Sequence, residues 1–223
     1  MGQKKEEEKM AAYIAMAIIA YLIGSVNFSV IISKKMAGFD VRERGSGNAG
    51  STNVLRTVGK KAAVLTLICD ILKGVISILI AIFIGSIVKD VNKELLVQIA
   101  GIAVVLGHTF PIFFGFKGGK GVATSLGVIL MSNWQIGLIC LVFALVLMAL
   151  TRMVSLGSCG AAVLFPVLTL FMNENYTVLT DGKSGKTYFI YSIILAIIVL
   201  YNHRSNIKRI LNGTENKLSF GKK

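Results

Sequence analysis

The stretch AAVLTLICDILKGVISILIAIFIGSI, residues 62–87, decides the fold class. A helix that crosses a bilayer needs about 20 mostly apolar residues. This run has 26, interrupted only by Asp70 and Lys73. Six more apolar stretches lie on either side of it, over residues 13–32, 95–106, 122–131, 136–150, 156–172 and 188–201. Two of them, 95–106 and 122–131, are short enough to be re-entrant. Backbone at membrane depth must satisfy its own hydrogen bonds, which leaves helices as the economical form. No segment shows the ten-residue alternation of a barrel strand. The expected fold is all-α, a polytopic membrane helix bundle with about seven transmembrane helices.

The composition agrees. Of the 223 residues, 54% are hydrophobic and 16% are charged, with a mean hydropathy of +0.72. A soluble domain carries about 25% charged residues. The length suits one domain, and we place it at residues 11–223. Residues 1–10 mix Lys4, Lys5 and Lys9 with Glu6, Glu7 and Glu8. They form neither a signal peptide nor a myristoylation motif and read as a solvated N-terminal extension. Cys69, Cys140 and Cys159 adjoin apolar runs without C-x-x-C spacing and read as core residues.

Seven spans put the termini on opposite sides, and charge then chooses the orientation. One set of connections holds Lys34, Lys35, Arg42, Arg44, Arg56, Lys60, Lys61, Lys117, Lys120 and Arg152, and the tail adds Arg204, Lys208, Arg209, Lys217, Lys222 and Lys223. On the other side, Lys89, Lys93, Lys183 and Lys186 are largely cancelled by Asp90, Glu94, Glu174, Asp181 and residues 6–8. The net charge of +13 therefore falls almost wholly on one face. Positive loops stay cytoplasmic, so the N-terminus is expected outside and the C-terminus inside.

That rule explains the lysines and arginines but not the glycines, asparagines and serines among them. The first basic loop reads RGSGNAGSTNVLR over residues 44–56. Gly45, Gly47 and Gly50 match the dinucleotide-fold spacing, but that motif needs a preceding strand, and here a spanning helix precedes it. The loop still presents backbone N–H groups, the neutral donors Ser46, Asn48, Thr52 and Asn53, and the guanidinium of Arg56, a combination suited to phosphate. A second stretch, GHTFPIFFGFKGGKGVAT over 107–124, is not a Walker loop, because Phe114 stands at the first glycine position and Gly121 follows Lys120. It leaves Lys117 and Lys120 on a glycine hinge entering a helix near Val122, where an anion is favoured. Phe110, Phe113, Phe114 and Phe116 either line a way in for an acyl chain or anchor the loop. A third cluster is RMVSLGS, 152–158. The fourth is HRSNIKRILNGTE, 203–215, which on a continuous helix puts His203 and Asn206 on one face. Asp70 and Lys73 lie one helical turn apart inside a span and read as a mutually paired support for these loops.

Residues 45–56, 107–111, 116–124, Ser155 and 203–209, in this order, resemble the bacterial acyl-phosphate-dependent glycerol-3-phosphate acyltransferases, the PlsY type. The likeness covers the chain after Met10. It departs mildly at Ser51 and Ser205. It implies transfer of an acyl group from acyl phosphate to the 1-hydroxyl of sn-glycerol 3-phosphate, giving lysophosphatidic acid and phosphate, the first step of phospholipid synthesis. The setting it implies is a bacterial inner membrane, with the site at the cytoplasmic face.

Two phosphate-bearing substrates require a basic, donor-rich site, and an acyl phosphate is already activated. Positioning and charge stabilisation then suffice, with no metal, cofactor or nucleic acid expected. The expected catalytic residues are His203, Asn206, Ser46, Arg56 and Lys120. The expected binding set adds Gly47, Asn48, Thr52, Asn53, His108, Lys117, Gly118, Gly119 and Ser155. His-x-x-x-x-Asp and G-x-S-x-G are both absent, so the glycerol hydroxyl is expected to attack directly, with His203 or a phosphate oxygen as base. A monomer in contact with membrane lipid is expected. The competing reading is a transporter for phosphate-bearing anions, weakened by the lack of a second basic cluster on the far side.

Overall fold

The computed structural model describes residues 2–172 and 185–218. Glu174, Asp181, Lys183, Lys222 and Lys223 lie outside them. Ten α-helices and no strand occur among the described residues: α1 (Gly2–Gly24), α2 (Phe28–Ala37), α3 (Ser51–Thr57), α4 (Lys60–Ile87), α5 (Lys93–Thr109), α6 (Val122–Ser132), α7 (Trp134–Thr151), α8 (Val154–Phe171), α9 (Gly185–Asn202) and α10 (Arg204–Leu211). Six of the seven apolar stretches each fall on one helix, and the seventh, 13–32, is broken at residues 25–27 between α1 and α2. Among the described residues, five helical segments are long and apolar enough to cross a membrane, and a sixth arises if α9 and α10, bent by 65°, count as one span. With 11 residues, α6 rises about 16 Å, roughly half the hydrocarbon thickness.

The half-length helix places the site. Gly74 of α4 abuts Thr124, and Gly127 of α6 abuts Ile71, close approaches that only glycine allows. Residue 120 therefore sits level with about residue 67 of α4. That is about 10 Å below the start of α4 at Lys60, taking 1.5 Å per residue. The glycine hinge before α6 thus dips into the bundle and leaves a hollow above it.

At the centre is α5: 67% of its apolar window is buried, against 33% for α4 and 22% for α7. Its Gly107 meets Gly24 of α1 backbone to backbone. Met16, Ala20, Ile78, Leu96, Val104, Val128, Phe165 and Tyr191 join in one core, while Ile76, Phe83, Leu145, Val146 and Leu150 face outward as a lipid-facing surface requires. A smaller core of Val30, Val41, Ala49, Val54 and Ala62 underlies the first basic loop.

The chain breaks between α1 and α2, leaving carbonyls that need donors at membrane depth. The Lys73 ammonium supplies them, donating to Gly24 O at 3.1 Å and Val26 O at 3.2 Å. It also lies 3.0 Å from Asp70 Oδ1, so the expected pair forms, and His108 Nδ1 stands 3.5 Å from the same oxygen.

At one end of the bundle Lys5 pairs with Asp90, and Ser132 meets Tyr188. Helices α4, α6 and α8 start at the other end, and α5, α7 and α9 finish there. The basic connections are gathered at that second end.

Candidate active site

Five segments surround a cavity of about 970 Å³ at the basic end: residues 46–56, 60–70, 108–123, 154–158 and 201–216.

The first segment is shaped by Asn53. Its Nδ2 donates to the carbonyls of Val41 (2.9 Å), Arg44 (3.0 Å) and Asn48 (3.0 Å), while its Oδ1 accepts from the Ser46 N–H at 2.9 Å. Asn53, expected as a donor to substrate, lines the cavity, but it is buried and its polar atoms are spent on the loop. Ser46, Gly47, Asn48, Thr52 and Arg56 are held on the cavity wall by this frame. Among the described residues the Arg56 guanidinium has no ion-pair or hydrogen-bond partner, so it is available to an anion. Beside the loop, Arg42 clips two segments together, donating to Phe114 O at 2.7 Å and Lys117 O at 3.2 Å while pairing with Asp40. The Arg42 hydrogen bond holds the Asp40 carboxyl down at about 2.

The glycine hinge is tied back by its backbone: Gly118 N–H donates to Thr109 O and Gly119 N–H to His108 O, each at 3.1 Å. A Cβ on Gly119 would strike His108 Nε2 and come within 2.7 Å of Ala49 O, so the first loop and the hinge touch through a glycine. Gly121 takes φ +86° to turn the chain into α6. His108, Gly118, Gly119 and Lys120 line the cavity, as does Asp70. Lys117, expected in the binding set, is exposed and absent from the wall, since Arg42 holds its carbonyl and leaves the side chain outward. Phe110 reaches the cavity, Phe113 and Phe116 are exposed, and Phe114 packs on the small core, so the aromatic run divides between both readings.

The helix carrying His203 does not continue straight. It ends at Asn202, and His203 caps the bent-away α10. The bend still brings both expected side chains inward, with His203 and Asn206 buried. His203 Nδ1 lies 2.8 Å from Val199 O. A carbonyl only accepts, so Nδ1 carries the proton and Nε2 keeps the lone pair. Lys120 Nζ makes a very close hydrogen bond to Asn206 Oδ1. Burial lowers the Lys120 ammonium pKa to about 8, a fall that the nearby Glu215 charge limits.

Glu215, the last residue of the fourth cluster, is not among the expected site residues, yet it lines the cavity. It accepts from Ser155 Oγ at 2.8 Å, Asn206 Nδ2 at 2.7 Å and Arg209 Nε at 2.8 Å. Burial opposes its ionisation, but these hydrogen bonds from Asn206, Ser155 and Arg209 hold its carboxyl below the usual range. The available signal was composition: Glu215 is the sole acid in residues 202–223, facing a cluster of bases.

Next to the polar cavity lies an apolar pocket between α6, α7, α8 and α9, lined by Leu126, Ile129, Cys140, Ala144, Phe165 and Leu195 among others. Val122, Leu126, Met148 and Ser158 belong to both.

Fold and cavity together define an integral membrane protein with a basic, donor-rich chamber sunk into one end of a helix bundle. More narrowly, the chain belongs to the glycerol-3-phosphate acyltransferase family, whose sequence profile matches residues 14–213. A glycerol-3-phosphate acyltransferase of Clostridioides difficile (strain 630) is 45% identical over 93% of this chain and 96% of its own length. One from Chlorobaculum tepidum is 38% identical over 96% and 100%. Among solved structures, the glycerol 3-phosphate form of the integral membrane acyltransferase PlsY (YgiH) superposes with a TM-score of 0.79 at 38% identity, covering 93% of this chain and 96% of that one. Its lysophosphatidic acid form gives 0.77 at 37% identity, covering 93% and 95%.

Proposed function

We propose that the protein transfers a fatty acyl group from acyl phosphate to the 1-hydroxyl of sn-glycerol 3-phosphate, releasing phosphate and lysophosphatidic acid at the cytoplasmic face of a bacterial membrane. Residues 11–223 act as one catalytic unit, as a monomer surrounded by lipid. The observation that carries this reading is the junction of the two cavities. A basic chamber suited to phosphates adjoins an apolar pocket whose lining suits the start of an acyl chain, and the two share Val122, Leu126, Met148 and Ser158.

Phosphate groups are taken by the Ser46–Arg56 wall and by Lys120. The hydroxyl oxygen attacks the acyl carbonyl carbon, and the bond from that carbon to the phosphate oxygen breaks. Phosphate leaves with the electron pair, its charge met by Arg56 and Lys120. The hydroxyl proton passes to His203 Nε2 or to a phosphate oxygen. No protein nucleophile takes part, so no acyl-enzyme forms. A cytoplasmic basic end is supported by the charge bias of the connections.

The donor is tested with detergent-purified protein given glycerol 3-phosphate and either palmitoyl phosphate or palmitoyl-CoA. Turnover with the phosphate alone supports the assignment, and turnover with the CoA ester alone overturns the donor. His203→Gln, which keeps the ring's place but not its basicity, decides the base. Wild-type turnover in that variant assigns the proton to a phosphate oxygen.

A further inference from the structure

Glu215 is a tightly held charge on the cavity wall. Its side chain is 4% exposed and takes three hydrogen bonds, from α8 through Ser155 and from α10 through Asn206 and Arg209. The segment that carries it is fixed on both sides: Thr214 N–H donates to Arg209 O at 2.8 Å and Leu218 N–H to Arg152 O at 2.7 Å.

Donor and acceptor rules then settle what its neighbours present. A carboxylate only accepts and an ammonium only donates. Between them, the Asn206 amide has one orientation, its NH2 on Glu215 and its carbonyl oxygen on Lys120. Ser155 spends its single proton on Glu215, so lone pairs are what its oxygen offers a ligand. A phosphate oxygen gains nothing from such a group. A glycerol hydroxyl does.

We propose that Glu215 is a positioning residue for acyl transfer. It holds Asn206 against Lys120 and makes Ser155 an acceptor, so that this wall receives the hydroxyl end of glycerol 3-phosphate and the phosphate goes to Lys120 and the Ser46–Arg56 wall. The inference rests on the reaction proposed above. Lys120 is the reporter. The groups that set its charge are Glu215, Arg209, Arg56, the Cys159 thiol and the His203 ring, and Glu215 is the strongest that stabilises the ammonium.

The test compares wild type with Glu215→Gln, following kcat/KM for glycerol 3-phosphate against pH together with both KM values. The expected variant folds and shows a KM for glycerol 3-phosphate raised about tenfold, with that for acyl phosphate within about twofold. Its basic limb moves to lower pH, because the lost negative charge lets Lys120 deprotonate earlier. An unmoved limb, or equal rises in both KM values, reduces Glu215 to a structural tie and overturns the proposal. Should Glu215→Gln elute as aggregate, Glu215→Asp keeps the charge and withdraws its reach. It is expected to hold the wild-type limb while raising KM for glycerol 3-phosphate, and a wild-type KM overturns the proposal. A wild type silent with acyl phosphate and glycerol 3-phosphate sinks both readings, whereas an active wild type with an unaltered variant sinks only this one.

Discussion

Lys120 is the charge whose protonation state falls within reach of an ordinary assay. Burial brings its pKa to about 8 from 10.5. The ammonium is present below that value and lost as pH rises through it. Since kcat/KM reports the free enzyme, the efficiency toward glycerol 3-phosphate is expected to fall on the basic side with an apparent pKa of about 8. A limb near 10.5 would show that Lys120 is solvated, and no limb at all that it does not bind substrate. Residue types at this scale were readable because phosphate chemistry has a narrow vocabulary: Ser46, Arg56, Lys120, His203 and Asn206 all reach the cavity wall. What a side chain spends its hydrogen bonds on was not readable. Asn53 looked like one more donor and proved to be the loop's internal frame, since its partners Val41 and Arg44 are fixed only once the chain has folded back. Glu215 was passed over because its partners lie up to 60 residues away.

Among the elements, the glycine hinge carries the sharpest expectation. Gly119→Ala drives a methyl into His108 and the Ala49 carbonyl, both backed by packed structure. It is expected to cut kcat/KM for glycerol 3-phosphate about tenfold or more. Gly115→Ala is the control, because φ there is +65° and nothing lies within 4 Å of the new atom. It is expected to cost about 1 kcal/mol of stability by thermal unfolding, with turnover nearly intact. Equal losses at the two positions would mean that hinge flexibility matters rather than contact. The long apolar helices were legible from run length alone, but neither α3 inside the first basic loop nor the break between α1 and α2 was. The bend at His203 was not legible either, because RSNIKRIL is an acceptable continuation of α9 and only the contacts of Asn206 with Lys120 and Glu215, fixed by the folded chain, turn it inward. Likewise the 11 apolar residues of α6 mark a helix without saying at which depth it starts.

For the whole molecule, the buried Asp70–Lys73 pair joins the bundle core to the site. Lys73 closes the break between α1 and α2, and Asp70 backs His108 under the hinge. Lys73→Met leaves a buried carboxylate unpaired and is expected to cost about 3–5 kcal/mol in thermal or denaturant unfolding. Adding Asp70→Asn should recover part of that loss. A double variant as unstable as the sum of the singles would show that the two do not act as a pair. The central claim is that one chamber brings two phosphate-bearing substrates together for direct transfer. The measurement that tests it most directly follows phosphate and acyl label together in purified protein given palmitoyl phosphate, with and without glycerol 3-phosphate. The account expects no phosphate and no protein-bound acyl group without the acceptor, and with it phosphate and lysophosphatidic acid in equal amounts. A burst of phosphate without glycerol 3-phosphate, leaving acyl label on the protein, would contradict it.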